Sequence, residues 1–423
     1  MLCTAGYLIF RRMRFIRDNI RMGKNVMISD NALQRLRNLI LFAFAQKKMF
    51  KKPIPAVLHL FVYVGFLVIN IEVLEFIIDG LLGQHRVFSS YLGPFYTVLM
   101  NIFEFLAAAV LVSCVIFLMR RNLLRISRFR MNELTSWPRL DANIILIAEI
   151  ALMTAILMMN AADQVLQGIN PAYPSSGHLF LSSMLMPLVS SFSETSLVVT
   201  ERIAWWFHII GILAFAIYLT YSKHLHIIMA FPNTWYARLE PKGRMNNMPV
   251  VTGEVKMMLG LADASVNDPE PGKFGAKDVN DLTWNMLMGA YACTECGRCT
   301  AECPANQTGK KLSPRKIMMD TRDRMEEVGN SLRLGGPGLA DGKTLLNDYI
   351  SKEEINACTS CHACVEACPV QINPLEIIIE LRRYVTMEES GAPPSWNSMY
   401  QNVETNFAPW KFSPGDRYNW ARE

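Results

Sequence analysis

Eight of the ten cysteines lie near the C-terminal end of the chain and form two copies of one pattern. The copies are Cys293, Cys296, Cys299 and Cys303, followed by Cys358, Cys361, Cys364 and Cys368. Each reads C-x2-C-x2-C-x3-C-P, which is the ligand pattern of paired 4Fe-4S clusters. These residues therefore predict one-electron transfer through two iron–sulfur clusters.

The last cysteine of each copy is set back and followed by proline, so it points towards the neighbouring cluster. We therefore expect crossed ligand sets, in which Cys368 completes the first set and Cys303 completes the second. A structural zinc site is the alternative, but it needs only four ligands in two separated pairs. Disulfides are disfavoured because the charge pattern places this region in the reducing cytoplasm. Cys3 and Cys114 lie in apolar stretches typical of buried, inert thiols.

The chain is too apolar for an ordinary soluble protein, with 51% hydrophobic and 19% charged residues among its 423. Four stretches are long enough to cross a bilayer, at about 54–78, 96–119, 142–160 and 203–229. Glu104 and Glu149 lie within the second and third stretches. They either carry protons to or from a quinone or are paired structural carboxylates.

The distribution of Lys and Arg predicts the orientation of these spans. Residues 11–52 hold twelve Lys or Arg and residues 120–139 hold six, whereas the loops 80–95 and 161–202 hold one each. Positive charge stays on the cytoplasmic side, so the N-terminal arm and everything after the fourth span are cytoplasmic. The net charge of +5 is explained by this topology and needs no nucleic acid partner.

Three of the seven histidines lie inside the predicted spans: His59, His208 and His226. An imidazole in hydrocarbon is costly, and it is a functional candidate for that reason. His59 and His226 lie at matching depth near the cytoplasmic ends of the first and fourth spans. We expect them to be the axial ligands of a b-type haem within the bundle. The alternative is a pair of interfacial histidines that bond to the backbone.

His208 lies five helical turns before His226, so one continuous helix would place both on the same face, about 27 Å apart. On that helix His224 points away from this face, towards a haem propionate or the lipid interface. Lys223 either pairs with a propionate or extends to the membrane interface. His208 is either a cofactor ligand or a structural residue.

We expect an all-α chain, namely a polytopic transmembrane bundle followed by a cytoplasmic helical ferredoxin domain. Residues 1–10 are apolar but too short to span a bilayer, and we interpret them as the end of a helix that begins upstream or is truncated. Helices should begin at Pro314 and Pro374, capped by the preceding Ser313 and Asn373.

The expected domains are a partial helix and basic arm (1–53), the bundle (54–230), a connector (231–284), the dicluster domain (285–388) and an aromatic tail (389–423). The tail has little periodicity and should dock onto its own domain or onto another subunit.

The membrane part resembles the cytochrome b subunit of membrane-bound heterodisulfide reductase and the gamma subunit of respiratory nitrate reductase. The resemblance rests on LHLFVYVGFLV around His59 and on WWFHIIGILAFAIYLTYSKHLHI around His208 and His226. Residues 285–388 resemble the helical dicluster subunit of heterodisulfide reductase.

This resemblance implies that His59 and His226 bind the haem nearer the clusters, and that His208 is a ligand of a second, outer haem. In the nitrate reductase pattern a second histidine follows about ten residues after His59, and this sequence lacks it. His178 or His85 would have to replace it as the partner of His208 in the outer haem. The cysteine-rich domain with paired CCG motifs, which holds the catalytic cluster of heterodisulfide reductases, does not occur in this sequence. The resemblance therefore implies that disulfide chemistry needs a separate CCG-motif subunit.

The sequence thus predicts a multi-pass inner-membrane subunit of a quinone-linked oxidoreductase. Electrons would pass between a cytoplasmic partner, two 4Fe-4S clusters, b-type haem and quinone. A CCG-motif subunit and a flavin dehydrogenase or electron-transfer flavoprotein are the expected partners. The alternatives are a subunit of a catalytic heterodisulfide or hydroxy-acid oxidoreductase complex, and a non-enzymatic membrane redox sensor or scaffold.

Overall fold

The computed structural model describes residues 1–124, 126–261, 272–335, 341–411 and 413–422, and the regular elements in these ranges are helices. The first half contains α1 (Leu2–Arg21), α2 (Ala32–Asn38), α3 (Pro53–Leu82), α4 (Val87–Leu92), α5 (Pro94–Asn122), α6 (Trp137–Leu166), α7 (Phe180–Val189), α8 (Glu194–Leu219) and α9 (His226–Trp235). The second half contains α10 (Pro249–Met258), α11 (Trp284–Ala292), α12 (Arg298–Ala301), α13 (Pro304–Gln307), α14 (Pro314–Gly335), α15 (Lys352–Asn356), α16 (Ala363–Ala367), α17 (Pro374–Met387) and α18 (Pro394–Asn406).

Four helices, α3, α5, α6 and α8, are long and apolar enough to cross a membrane. This confirms the predicted all-α bundle with four full spans. Three of the four carry proline in the first turn, where its missing N–H costs no hydrogen bond. The helices pack through a shared apolar core that includes Phe76, Leu106, Leu152 and Ile209.

The fourth span differs from its predicted bounds of 203–229. Helix α8 ends at Leu219, and a break at Thr220–Ser222 separates it from α9. The hydroxyl of Thr220 donates to the Ile217 carbonyl, and the Ser222 hydroxyl accepts from the His224 amide. Such local bonds compete with the helical ladder and end it inside an apolar stretch. The prediction that His208 and His226 share one continuous helix is therefore wrong.

The C-terminal cluster domain shares its apolar core with one end of the bundle. Buried residues of α11, α14 and α17 pack together with Ile16 of α1, Leu219 of α8 and Met229 of α9. We call this end of the bundle proximal and the opposite end distal. As predicted, helices begin at Pro314 and Pro374, and the Asn373 side chain accepts from the Glu376 amide.

Ion pairs reinforce this contact. Arg12 of α1 forms a bidentate pair with Glu326 of α14, at 2.8 and 2.9 Å. Arg315, which is fully buried, donates to Glu133 at 2.8 Å and to the Arg128 carbonyl in the loop between α5 and α6. The proximal end of the bundle and the cluster domain are therefore joined by both apolar and charged contacts.

The connector and the tail are less regular than these parts. Residues 262–271 of the connector lie outside the described residues, and its described part contains one helix, α10, which composition did not predict. Helix α18 of the tail has no buried residue, and Trp410 and Trp420 are exposed. Cys114 is buried as predicted, but Cys3 is exposed on α1, contrary to expectation.

Candidate electron-transfer site

The two cysteine runs occupy short loops at the ends of small helices. Cys293 follows α11 and Cys303 precedes α13, while Cys368 follows α16. Both loops turn through residues with positive φ, at Glu295 (55°) and at His362 (59°). Left-handed residues let a short loop reverse direction between successive cysteines.

The electrostatic environment of the thiols reveals which cysteines are neighbours. Burial raises the pKa of Cys293 to about 12, and the charge of Cys368 contributes to the rise. Burial also raises the pKa of Cys299, which is likewise influenced by Cys368. In the second run, burial raises the pKa of Cys364 to about 12, and Cys303 adds to it. These influences agree with crossed ligand sets, which remain a prediction.

Backbone amides point at two of these sulfurs. The Ser360 amide donates to Cys358 Sγ at 3.4 Å, and the Ile372 amide donates to Cys368 Sγ at 3.3 Å. Such bonds tune the reduction potential of a cluster bound by these thiolates. Within the described ranges, no three His, Cys, Asp or Glu side chains converge on the position of a single metal ion. A 4Fe-4S cluster instead offers a separate iron to each of its four thiolates.

The structure brings His59 of α3 and His226 of α9 together at the proximal end of the bundle. Their ring centroids lie 6.5 Å apart. A metal–nitrogen bond of ~2.0 Å and ~1.2 Å from nitrogen to ring centroid would separate two axial imidazole centroids by about 6.4 Å. The observed spacing therefore leaves room for one metal between the two rings.

Both rings are oriented by hydrogen bonds through Nδ1. His59 Nδ1–H donates to Gln46 Oε1 at 3.0 Å, and His226 Nδ1–H donates to the Lys223 carbonyl at 3.2 Å. Each Nε2 is thereby left to act as a ligand, in the way that outer hydrogen bonds commonly orient metal-binding histidines. This arrangement fits a haem iron held by the two Nε2 atoms.

The predicted orientation of His224 is wrong. The break before α9 places its ring 5.4 Å from the His226 ring, at 90°, rather than on the opposite side. The expectation for Lys223 is wrong as well, because its ammonium group is buried and 2.5 Å from Glu295 Oε2. Neither the membrane interface nor a propionate is needed to account for this lysine.

Lys223 and Glu295 form the first of two bridges between the histidine pair and the cysteine loops. Lys223 supplies the carbonyl that orients His226, and Glu295 lies between two cysteines of the first run. Glu295 also bonds to Arg322 at 2.9 Å. Although burial raises it, the pKa of Glu295 is lowered overall by Arg322 and Lys223. The bridge is therefore a buried, ionised network.

The second bridge starts from the other histidine. Gln46, which orients His59, is followed two residues later by Lys48. Lys48 Nζ donates to the Cys368 carbonyl at 3.3 Å, and the Lys48 carbonyl accepts from Arg298 at 3.4 Å. Both bridges lead to the group of Cys293, Cys296, Cys299 and Cys368. The second group is more peripheral, since Cys361 is exposed.

His208 lies apart from these residues, fully buried against Phe76 at a centroid distance of 5.7 Å. Its Nδ1 bonds to the Leu152 carbonyl at 3.2 Å, and its Nε2 has no hydrogen-bond partner. The structure does not bring the two suggested substitutes to it. His85 is bonded to Asp163 at 2.8 Å, and His178 is exposed.

Glu104 was expected to be either a proton carrier or a paired structural carboxylate, and in the structure it is paired with backbone amides. Its carboxylate accepts from the Leu181 and Ser182 amides, each at 3.1 Å, and so anchors the start of α7. Glu149 is partly buried on α6. Gln46, Lys48 and Glu295 were not predicted from the sequence because their partners are distant in the chain. The acidic residue between two cysteines is the local signal that could have indicated Glu295.

Comparison with known proteins supports this description. Residues 292–372 match the family model of the 4Fe-4S dicluster domain. A probable iron-sulfur-binding oxidoreductase of Bacillus subtilis is 26% identical over 99% of this chain and 58% of its own length. The EtfAB:quinone oxidoreductase of Syntrophomonas wolfei is 26% identical over 93% of this chain and 55% of its own length.

Shorter stretches match further proteins. A probable membrane-anchored ferredoxin of Chromohalobacter salexigens is 33% identical over 39% of this chain and 26% of its own length. Heterodisulfide reductase subunits D and C also match, as the resemblance predicted. No solved structure matches the chain significantly.

The chain spans somewhat more than half the length of the two relatives that match nearly all of it. The matched family model covers the two cysteine runs in full. Residues 292–372 are therefore a 4Fe-4S dicluster domain, and the relatives of the chain include oxidoreductases, a membrane-anchored ferredoxin and heterodisulfide reductase subunits.

Proposed function

We propose that the chain transfers electrons between a flavoprotein and membrane quinone, using two 4Fe-4S clusters and a b-type haem. The observation that carries this proposal is the spacing and attachment of His59 and His226. Their centroids are 6.5 Å apart, and each ring is oriented by a segment that also holds a cysteine loop. Such shared supports fix the relative positions of redox groups, which is the contribution a protein makes to cofactor chemistry.

Each ligand set has a separate role in this proposal. Cys293, Cys296, Cys299 and Cys368 would hold the cluster nearer the haem, because both bridges end at this group. Cys358, Cys361, Cys364 and Cys303 would hold the other cluster near the surface, where Cys361 is exposed. When bound, the clusters and the haem supply one-electron carriers of tunable potential. The protein residues orient these groups and keep water from the buried thiolates.

The surface beside Cys361 suits a redox partner. The adjoining loop carries His362, which also lines a cavity with more basic than acidic residues: Lys48, Arg238, Lys242 and Arg244 against Glu240 and Glu376. A basic cavity favours an acidic partner surface by steering its approach. The name of the Syntrophomonas relative couples an EtfAB protein to quinone, and this supports an electron-transfer flavoprotein or flavin dehydrogenase as partner here.

A cysteine-rich subunit with CCG motifs is the second proposed partner, by similarity to heterodisulfide reductases. The aromatic tail, 389–423, offers a surface for it, since α18 buries none of its residues. Aromatic side chains such as Trp410 and Trp420 are typical anchors of protein interfaces. The substrate site would then lie on the partner, and the dicluster domain would face the cytoplasm, as the distribution of Lys and Arg predicts.

The test is an anaerobic redox titration of the purified protein, with iron and haem quantified on the same sample. We expect about eight non-haem irons, from two clusters of four, and a bis-histidine b haem that a short-chain quinol reduces. H59A and H226A should each lose the haem and keep the clusters, whereas H178A, which changes an exposed histidine, should keep both.

Two results would contradict the proposal. A wild-type protein with clusters and no haem would make His59 and His226 structural residues of a membrane-anchored ferredoxin. A haem that no quinol reduces, in a protein with intact clusters, would favour the redox sensor instead.

A further inference from the structure

A second polar site lies at the distal end of the bundle, far from the cysteines. Its centre is Arg86, in the loop between α3 and α4, which is only 2% exposed. Glu72 of α3 (1% exposed) and Asp163 of α6 (0%) contact the same guanidinium group. We call these residues, together with Glu75, Asp79 and His85, the Arg86 cluster.

Most carboxylates of the Arg86 cluster accept several hydrogen bonds. Asp79 accepts from the amides of Arg86 and Val87, at 2.8 and 2.9 Å. Glu75 accepts from the Phe88 amide at 2.9 Å and from the Tyr96 hydroxyl at 2.8 Å. These bonds replace water and allow the groups to remain ionised while buried.

Asp163 also accepts several hydrogen bonds. It accepts from His85 Nε2 at 2.8 Å, from Arg86 at 3.2 Å and from Gln167 at 3.0 Å. Glu104, nearby on α5, accepts from two amides at the start of α7 and from the Asn160 side chain. Glu201 of α8 pairs with Arg202 at 3.1 Å.

Glu72 is the exception, because both of its carboxylate oxygens are buried without a hydrogen bond from any residue that the structure describes. Its nearest cation is Arg86, whose Nη1 is 3.5 Å from Oε1. Burying an anion without hydrogen bonds costs several kcal/mol. A protonated carboxyl avoids most of that cost, so Glu72 is the member of the cluster best suited to hold a proton.

Charge counting leads to the same residue. Glu72, Glu75, Asp79 and Asp163 surround a single buried arginine, which stays charged at every physiological pH. Four ionised carboxylates around one guanidinium would leave a large uncompensated charge in a medium of low dielectric constant. At least one of the four carboxyls must therefore be neutral unless His85 and further groups compensate the charge. Glu75, Asp79 and Asp163 accept hydrogen bonds that favour their ionised forms, which leaves Glu72 as the neutral group.

The cluster reaches the distal surface through His85. The imidazole bonds to Asp163 and its side chain is 15% exposed. On its other side it packs against Tyr173, at a centroid distance of 4.8 Å. An imidazole can accept a proton on one nitrogen and donate from the other, so His85 suits the contact with water. Arg86 stays protonated and stabilises whichever carboxylate has lost its proton.

An open groove lies between α3 and α5, beside the part of α3 that precedes Glu72. Its lining includes Val64, Val68 and Leu106, and Val68 is one helical turn before Glu72. The groove is apolar and faces outward from the bundle, where a membrane-dissolved ligand has access.

From this arrangement we infer that Glu72 is a proton-exchange site for quinone, supplied from the distal aqueous phase through His85 and Asp163. The inference rests on the proposed function. Reduction of a quinone to a quinol consumes two electrons, which the bound cofactors supply, and two protons. Glu72 gives the first proton to one quinone oxygen, takes up a proton that enters through His85 and Asp163, and gives this second proton to the other oxygen. Quinol oxidation reverses these transfers.

The first experiment tests the protonation of Glu72 without any quinone. Infrared spectra of the full chain at neutral pH should contain the C=O band of a buried protonated carboxyl, and E72Q should lack it. E194Q removes an exposed distal carboxylate and should leave the band unchanged. A band that persists unaltered in E72Q would overturn the inference.

The second experiment measures a single turnover. The protein is reduced with dithionite, freed of excess reductant and mixed with a short-chain quinone in a stopped-flow instrument. We expect haem reoxidation to slow at least tenfold in E72Q, with cluster and haem contents unchanged. H85Q should slow proton uptake, measured with a pH dye, and should make the rate depend more steeply on pH, whereas E194Q should match wild type.

The outcomes separate the two proposals. A wild-type haem that quinone does not reoxidise would refute the proposed function, while the infrared result would still decide whether Glu72 holds a proton. Equal rates in wild type and E72Q, with quinone active on both, would overturn the proton-exchange role alone. If E72Q fails to fold, H85Q tests the same route from its exposed end.

Discussion

The bridge between Lys223 and Glu295 allows a quantitative test of how the cluster domain is fixed to the bundle. Their charged atoms are 2.5 Å apart, and the two side chains are 8% and 3% exposed. At an effective dielectric constant of ~20, two unit charges at this distance attract by about 6 to 7 kcal/mol. Desolvation offsets much of this, and removing one partner of a buried pair typically costs about 3 to 5 kcal/mol.

The destabilisation by K223M should lie at the lower end of this range of about 3 to 5 kcal/mol, because Glu295 has a second cation nearby. In this variant Glu295 keeps Arg322 at 2.9 Å, so its carboxylate is not left without a cation. We therefore expect K223M to lower the free energy of unfolding by about 3 kcal/mol. Denaturant unfolding of the purified protein in detergent, followed by loss of cluster absorbance, measures this change.

The chain provides a matched control. Lys311 and Glu353 are also 2.5 Å apart, but their side chains are 68% and 62% exposed. An exposed pair in water contributes little to stability, so K311M should have little effect. If K223M and K311M shift the unfolding free energy equally, or if K223M and E295Q are additive within about 0.5 kcal/mol, the reasoning is refuted.

Three further predictions concern the haem, the clusters and pH. Q46L should weaken haem binding about 10- to 100-fold, because it removes the acceptor that orients one axial histidine; haem titration of the apoprotein measures this, and an unchanged affinity would contradict it. C303S and C368S should each perturb the cluster assembled mainly from the other cysteine run, seen by EPR, whereas C114S should leave both clusters intact; damage confined to a variant's own run would refute crossed ligand sets. Burial raises the pKa of Asp320 to about 6, so its contribution to stability is fully present below the unfolded value near 4 and is lost as pH rises through 6. D320N should therefore gain about 2 to 3 kcal/mol relative to wild type between pH 4 and pH 8, and parallel pH profiles of unfolding would contradict this.

The features that the sequence predicted well are those encoded by local spacing. The cysteine runs carry their ligand pattern within eleven residues, and each apolar span is continuous in the chain. His59 and His226 were expected at matching depth from residue number, and their rings lie 6.5 Å apart although a break separates α9 from α8.

The features that the sequence did not predict depend on competition or on distant partners. The break at Thr220–Ser222 interrupts an apolar stretch because side-chain hydroxyls compete for the backbone hydrogen bonds of the helix. A hydropathy profile does not detect this competition. Lys223 meets Glu295 across 72 positions of chain, and Glu72 shares Arg86 with Asp163 of another helix. Such pairings are determined by tertiary packing, and no periodic pattern in the sequence predicts them.

The backbone of Glu295 adds a final consequence. Its φ of 55° belongs to the left-handed region, where a residue with a side chain costs roughly 1 to 2 kcal/mol relative to glycine. Glycine would ease the turn between two cysteines, yet it would also remove the acceptor shared by Lys223 and Arg322. Conformational preference and charge pairing therefore oppose each other at this position. Since the lost ion pairs outweigh the relieved turn, a glycine that improves an isolated ferredoxin loop would loosen its attachment to the membrane bundle.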